Sequence, residues 1–420
     1  MAASTKKLLT AILSTIALAD FGLGLNTVVL PLYAKSLGAS IITIGLIIAS
    51  FGVARILINI PISMISKRLN KGFIHIGILL IFLGALGYYF SSFYQELFLF
   101  RFMEGFGSGI INTSSMIMLT KHLYKNEQRG KVLSRYMIAR RLSMGSAPFL
   151  GAVIAYKFND KAAFLLYGVV MFVALLVALY NKNFLKGIYN GIDLSAEKAK
   201  QDISKIKEKI GGGKYKKYLR LFYNLNFIIL CFLTFSFFFS RIGSRRELVP
   251  LVGVSIMRLN KANIGLLISI AAVIGVILTY YSDRIIKLMG IKKSIVISFI
   301  IAAVGVLSFI IFKNLFTFGA SIILLSAGGG FSGPARNLYL MDSVDKTHYD
   351  EAIGVYRTLS DMGFVLGPFV LGAVFDYFNF LSAFGVVLFI IIAATVLFGF
   401  FAKSYDYGYS YPLPDGNSGD

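Results

Sequence analysis

Residues 354–373 read Gly354-Val355-Tyr356-Arg357-Thr358-Leu359-Ser360-Asp361-Met362-Gly363-Phe364-Val365-Leu366-Gly367-Pro368-Phe369-Val370-Leu371-Gly372-Ala373. The stretch is apolar enough for a bilayer, yet it places Arg357 and Asp361 one helical turn apart. Gly363, Gly367 and Gly372 give the helix a stripe without side chains, against which another backbone can come close. Pro368 interrupts the hydrogen-bond ladder and bends the helix. A weaker copy stands half a chain earlier: Arg141, Gly145, Ala147, Pro148, Gly151 and Ala152. Two bent, charged, close-packing helices at matched positions point to a duplicated membrane machine.

Composition agrees. Of 420 residues, 57% are hydrophobic, above the usual ~45–50% of soluble domains, and mean hydropathy is +0.75. The apolar runs are long enough to span a membrane. They fall at about 8–33, 41–65, 73–92, 97–119, 133–156 and 162–181, then 222–250, 263–281, 294–312, 316–341, 354–375 and 380–402. The expected fold is therefore an all-α membrane protein of about twelve spans in two six-helix bundles. The bundles cover 1–181 and 222–402, joined by a linker over 182–221 and followed by a tail over 403–420. The first apolar run is too long for a cleaved signal peptide and reads as a retained span. Cys231 is the only cysteine, so no disulfide forms within the chain.

The net charge of +22 reads as loop lysines on one membrane face rather than a nucleic-acid footprint. Lys6, Lys7, Lys67, Arg68, Lys71, Lys121, Lys125, Arg129, Lys131, Arg135, the linker, Arg284, Lys287, Lys292 and Lys293 share one side. Lys35, Lys157, Lys161, Arg258, Lys261 and Lys313 share the other. This bias predicts a multi-pass plasma-membrane protein, read as a monomer, with both termini cytoplasmic. The halves repeat with an offset near 220. Pro31 matches Pro250, Ile44-Gly45-Leu46 matches Ile264-Gly265-Leu266, and Pro148 matches Pro368. Such repeats place a binding site between them, near the midplane. In the linker, Ile203, Ile206 and Ile210 recur at helical spacing among lysines. This reads as an amphipathic helix on anionic lipid headgroups or as a solvated tether. The tail from Ser404 is expected to be disordered.

At this point the motifs resemble the major facilitator superfamily across nearly the whole chain. Arg101-x-x-Glu104-Gly105-x-Gly107-x-Gly109 is similar to the family's fourth-helix motif, whose arginine and glycines face the cavity. Gly145-x-Ala147-Pro148-x-x-Gly151 is similar to the fifth-helix motif associated with exporters. Asp283-Arg284, with Gly290, Lys292 and Lys293, resembles the signature loop in its second-half copy, while Ser66 to Lys71 lacks the aspartate. The resemblance implies a transporter of two bundles that rock about a central cavity. It does not select a substrate, because one fold carries many.

Charges inside the spans cost about 2.5–3.5 kcal/mol each on insertion scales and so mark function. Asp20, alone at mid-helix, is expected to take up and release a proton; an ion pair with a cavity arginine is the alternative. Glu104 is the second proton candidate, held charged by Arg101 one turn away. Asn26, Arg101, Arg241 and Arg245 are expected to line the substrate cavity, and their excess of guanidinium suits an anionic group. Glu247 pairing with Arg241 or Arg245 is the blander reading. Arg55, Arg141, Asp283, Arg284, Arg336, Arg357 and Asp361 are the gating and interdomain candidates. Asp361 is expected to bridge to Arg55 or to pair with Arg357. Arg141, next to Arg140, faces no acid on the eighth span and needs a carbonyl, water, substrate or lipid phosphate. Gly145, Pro148, Gly151, Gly363, Gly367, Pro368 and Gly372 are hinge and packing positions.

His75, His122 and His348 have no metal-ligand company. The chain has no nucleotide-binding glycine loop and no discernible nucleophile–base set. No metal, cofactor or enzymatic activity is expected. The reading is a secondary transporter exporting a small organic solute in exchange for protons. Proton-coupled uptake of an anionic metabolite and a non-transporting receptor or scaffold stay open as alternatives.

Overall fold

The computed structural model describes residues 3–69, 73–123, 129–181, 221–344 and 349–405. The linker with its expected amphipathic helix, the loop around Lys125, His348 and the tail from residue 406 lie outside the described residues. The first half consists of α1 (Ala3–Ser36), α2 (Ile41–Leu69), α3 (Ile74–Phe90), α4 (Tyr94–Leu123), α5 (Arg129–Lys157) and α6 (Asp160–Tyr180). In the second half, α7 (Leu225–Gly243) runs through a π-helical turn, Ser244–Leu248, into α8 (Val249–Ser255). There follow α9 (Lys261–Tyr280), α10 (Ser282–Met289), α11 (Ile291–Phe312), α12 (Leu315–Ser343), α13 (Tyr349–Tyr377) and α14 (Phe380–Phe401). The α7–π–α8 run forms one span and α10 is a short amphipathic helix, so the described residues form two bundles of six long helical runs, nine of them long and apolar enough to cross a membrane.

The duplication seen in sequence governs the packing. Within the first half α1 packs on α5 and α6, α2 on α4, and α3 on α4 and α6; the second half repeats each pair as α7 on α13 and α14, α9 on α12, and α11 on α12 and α14. The halves meet along two seams, α2 with α13 and α5 with α9. Helix starts repeat too. Asn159 caps α6 by accepting from Ala162 N–H, and Asn379 caps α14 by accepting from Ser382 N–H. Such caps satisfy a backbone donor that the helix leaves unpaired. The outer helices α3, α6, α11 and α14 turn side chains such as Leu83, Leu176, Val304 and Phe389 outward, as a lipid-facing surface requires.

The seventh span departs from the expected single α-helix. Pro250 has no N–H to offer the Arg246 carbonyl, and its ring crowds that carbonyl. The turn before it widens, so that Val249 N–H reaches back five residues to the Ser244 carbonyl. Below, the far end is the end carrying the α1–α2, α5–α6, α8–α9 and α13–α14 connections; the terminal end carries the start of α1 and the end of α14.

Candidate functional site

Glu104 is the centre of the first bundle. It is fully buried and collects four donors: Asn26 Nδ2 at 2.7 Å, Tyr88 Oη at 2.9 Å, Tyr167 Oη and Arg101 Nη1. They come from α1, α3, α6 and its own helix, so one carboxylate ties four helices together. Both its oxygens thus face two donors each, one of them the Arg101 guanidinium. Asn26 and Arg101, expected in the cavity, instead lie inside this cluster, each 3% exposed.

Asp20 is not the lone carboxyl that sequence suggested. Arg140 grips it with two bonds, Nε to Oδ2 at 2.6 Å and Nη2 to Oδ1 at 3.1 Å. The approach is possible because Gly24 lets α1 close on α5, where an added Cβ would stand 2.8 Å from the Met144 carbonyl oxygen. Arg140 also lies 5.5 Å from the Tyr136 ring. Its neighbour Arg141 points the other way, out of the first bundle: it donates to Thr279 Oγ1 on α9 and reaches Gly333 on α12. A hydroxyl of the eighth span is thus its partner, rather than the expected carbonyl, water, substrate or lipid phosphate.

Around Arg141 gathers a group of cations from the second half. Arg241 on α7 lies 5.7 Å from the Phe237 ring, and Arg336 on α12 lies 3.9 Å from the same ring. Arg336 is 4% exposed, donates through Nε to its own Ser332 carbonyl at 3.3 Å, and leaves Nη1 without a partner. Arg245 donates to the Ile268 carbonyl oxygen at 3.1 Å. Among the described residues no carboxylate forms an ion pair with any of these four arginines; the pairs present are Arg101–Glu104, Arg140–Asp20, Lys261–Asp160 and Lys287–Asp283. Arg241 borders two small cavities, one with Phe237 and Ser240, the other with Ser244, Arg245 and Ser326. At about 20 and 10 Å³ they hold little more than a water each.

A second cationic group brackets the α2–α13 seam. Phe51 and Phe364 stack across it, centroids 5.8 Å apart. Arg55 lies 6.0 and 5.8 Å from the two rings, Arg246 lies 5.8 and 5.6 Å from them, and Arg101 stands 4.5 Å from Phe51. The expected Arg55–Asp361 bridge is not formed, because Arg55 turns to the rings, where cation–π attraction is worth ~0.5–2 kcal/mol. Nor does Arg357 pair with Asp361: it is exposed, and both arginines act on Asp361 only across a gap. Asp283 pairs with Lys287 on its own helix at 2.8 Å, and Arg284 is exposed beside it.

Glu247 stands apart from both groups. The π turn carries it away from Arg241 and Arg245, so neither expected pairing forms. Its carboxyl lies in the seam between Gly45 of α2 and Gly372 of α13. Nothing in a sequence periodicity of 3.6 residues foretells this, since the π turn resets the phase.

The family model for the Major Facilitator Superfamily matches residues 12–286 and again 230–412. The chain belongs to the major facilitator superfamily. An uncharacterized MFS-type transporter of Methanocaldococcus jannaschii is 22% identical over 356 residues, 84% of this chain and 88% of that one. Among solved structures, a bacterial homolog of the human lysosomal transporter Spinster, inward-facing and unoccupied, superposes with a TM-score of 0.74 at 14% identity, over 95% of this chain and 97% of that one. A mutant of the peptide transporter POT gives 0.75 at 13%, over 93% of each chain. A POT family transporter in complex with 5-aminolevulinic acid gives 0.71 at 14%, over 93% and 94%. At such identities the likeness is one of fold. As a member of this superfamily the chain is a multi-pass membrane transporter.

Proposed function

We propose that this transporter moves a small organic anion by alternating access, driven by the proton gradient. The observation that carries the reading is the group Arg141, Arg241, Arg245 and Arg336, contributed by both halves and lacking any carboxylate partner among the described residues. Four guanidiniums brought together in a membrane interior repel one another, and an anion relieves that cost. Guanidinium forks match carboxylate and phosphate oxygens in pairs. Phe237, already under two of the arginines, offers a face for an apolar portion of the solute. The two small cavities at Arg241 are lined by second-half residues alone, so a solute that also meets Arg141 binds between the halves. The lysine-rich connections support a cytoplasmic terminal end in the plasma membrane. The Gly145–Gly151 motif supports export as the direction.

Proteoliposomes with an imposed pH gradient and a panel of anionic, neutral and cationic organic solutes test the reading. Gradient-dependent flux of anionic compounds, lowered at subsaturating concentration in Arg241→Gln, is expected. Flux confined to neutral or cationic compounds overturns the substrate class. Gradient-driven accumulation inside right-side-out vesicles reverses the direction to uptake, and no flux of any compound favours a receptor role.

A further inference from the structure

We propose that Glu247 is a proton-binding site built into the seam between the two halves, occupied while the far end is closed and vacated when it opens. Glu247 is fully buried, and neither carboxyl oxygen has a hydrogen-bond partner. Its Oε1 would lie 2.7 Å from a Cβ at Gly45 and 2.6 Å from one at Gly372. The carboxyl therefore occupies space that both halves leave free by using glycine, and it is reached by water only when α2 and α13 separate.

Among the described residues no cation compensates it. From α13 the facing charge is Asp376, another acid, which already accepts Ile42 N–H at 2.7 Å. On α2, Arg55 lies at the Phe51 and Phe364 rings. On α1, Asp20 is held by Arg140, and Lys35 at the helix end is exposed. Of the arginines on its own span, Arg241 faces Phe237, Arg245 the Ile268 carbonyl, and Arg246 the seam phenylalanines. The packed stretches of α8 and α14 carry no charged residue. A bare carboxylate in such a place is far costlier than a neutral carboxyl, and the group takes a proton instead. Closing the seam thus binds one proton from the adjoining solution, and opening it to water returns one. Asp20 and Glu104, by contrast, are each ion-paired.

The inference rests on the alternating-access reading but is tested without any solute. In a Cys231→Ser background, spin labels at Lys35→Cys and Tyr377→Cys report the far-end separation of the full-length protein in nanodiscs. Raising the pH is expected to lengthen this distance. Glu247→Gln should hold the closed distance at every pH, and Glu247→Asp should restore the dependence. Infrared difference spectra between low and high pH should show a neutral-carboxyl band in the parent protein that is lost in Glu247→Gln and kept in Asp376→Asn. A pH-dependent distance unchanged by Glu247→Gln, or a neutral-carboxyl band unaffected by it, overturns the proposal. An intact pH-gated distance change alongside absent flux would instead overturn the transport reading and leave Glu247 standing.

Discussion

Gly45 on α2 lies directly against the carbonyl oxygen of Pro368 on α13, and the repeat reproduces the contact with the halves exchanged: Gly265 on α9 lies against the carbonyl of Pro148 on α5. The two seams share one construction. Each pairs a glycine near the start of one helix with a proline carbonyl inside a long helix of the other half, and a Cβ at Gly265 would stand 2.7 Å from that oxygen. Two turns further along the first seam keeps its glycine on α2, where Gly52 meets Phe364 and Val365, whereas the second has its glycine on α5, where Gly145 meets Ala272 of α9. Polar contacts finish both seams at the far end, Ile42 N–H to Asp376 and Lys261 to Asp160, each pair spanning the halves.

A side chain at either glycine should therefore oppose far-end closure. Gly45→Val and Gly265→Val are each expected to weaken the closed state by about 1–3 kcal/mol, a roughly 5- to 150-fold shift in the open-to-closed ratio. Spin-label distances between Lys35→Cys and Tyr377→Cys read the shift. Gly168→Ala, whose Cβ would stand at an ordinary 3.6 Å from Leu86, should leave the distribution unchanged. Equal distributions in all three variants would mean that the glycine–proline contacts do not set the gate.

Much of this was legible in the sequence because the repeat preserves spacing. The offset between Gly45 and Gly265 and that between Pro148 and Pro368 are both 220, and a helix turns this regularity directly into a shared face. Partners of long side chains were less legible. Arg140 lies beside Arg141 in the chain, yet the two point to opposite bundles, and nothing local to the pair reveals which one finds Asp20. Glu104 was read with one partner, Arg101; the other three donors come from α1, α3 and α6, at sequence separations of 78, 16 and 63 residues. Glu247 escaped because its position depends on a π turn caused by Pro250, three residues downstream. The excess of arginine over carboxylate, by contrast, was legible from charge imbalance, although Arg141 and Arg336 were expected at the gate and stand instead with Arg241 and Arg245.

The Glu104 cluster should behave as the keystone of the first bundle. Glu104→Gln removes the anion and leaves the Arg101 guanidinium buried without a counter-charge, a loss of about 3–5 kcal/mol. Thermal unfolding in detergent should show a clear drop in Tm. The double variant Arg101→Met with Glu104→Leu should recover much of the loss, since apolar replacement of a buried pair is often near neutral. A single variant as stable as the parent would show that the four donors do not depend on the charge.

The Asp20–Arg140 pair separates structure from coupling. Asp20→Asn should destabilise the first bundle, because it leaves Arg140 with one neutral acceptor in place of a two-point ion pair. Combined with Arg140→Gln, it should regain stability and retain gradient-driven flux. If both single and double variants lost the pH-gradient dependence while solute exchange persisted, Asp20 would carry the proton after all. Measuring flux with and without an imposed gradient, on variants matched for Tm, decides between these outcomes.

The arginine group makes the sharpest demand on the solute. Replacing Arg241 by Gln removes one cation from a set that shares Phe237 and leaves hydrogen-bonding capacity in place. A hydrogen bond to a charged group is worth about 1.5–3 kcal/mol, so the half-saturating concentration of an anionic solute should rise roughly 10- to 150-fold. Arg336→Gln should act similarly, because its free Nη1 has no protein partner to lose. Arg284→Gln, on the exposed α10, should leave the half-saturating concentration unchanged. Arg241→Lys separates charge from shape: it keeps the positive charge but lacks the planar fork, so a carboxylate or phosphate held at two points should still bind more weakly than in the parent. If Arg241→Lys matched the parent while Arg241→Gln did not, the solute would be held by charge alone, and its anionic group need not be one that accepts two parallel bonds.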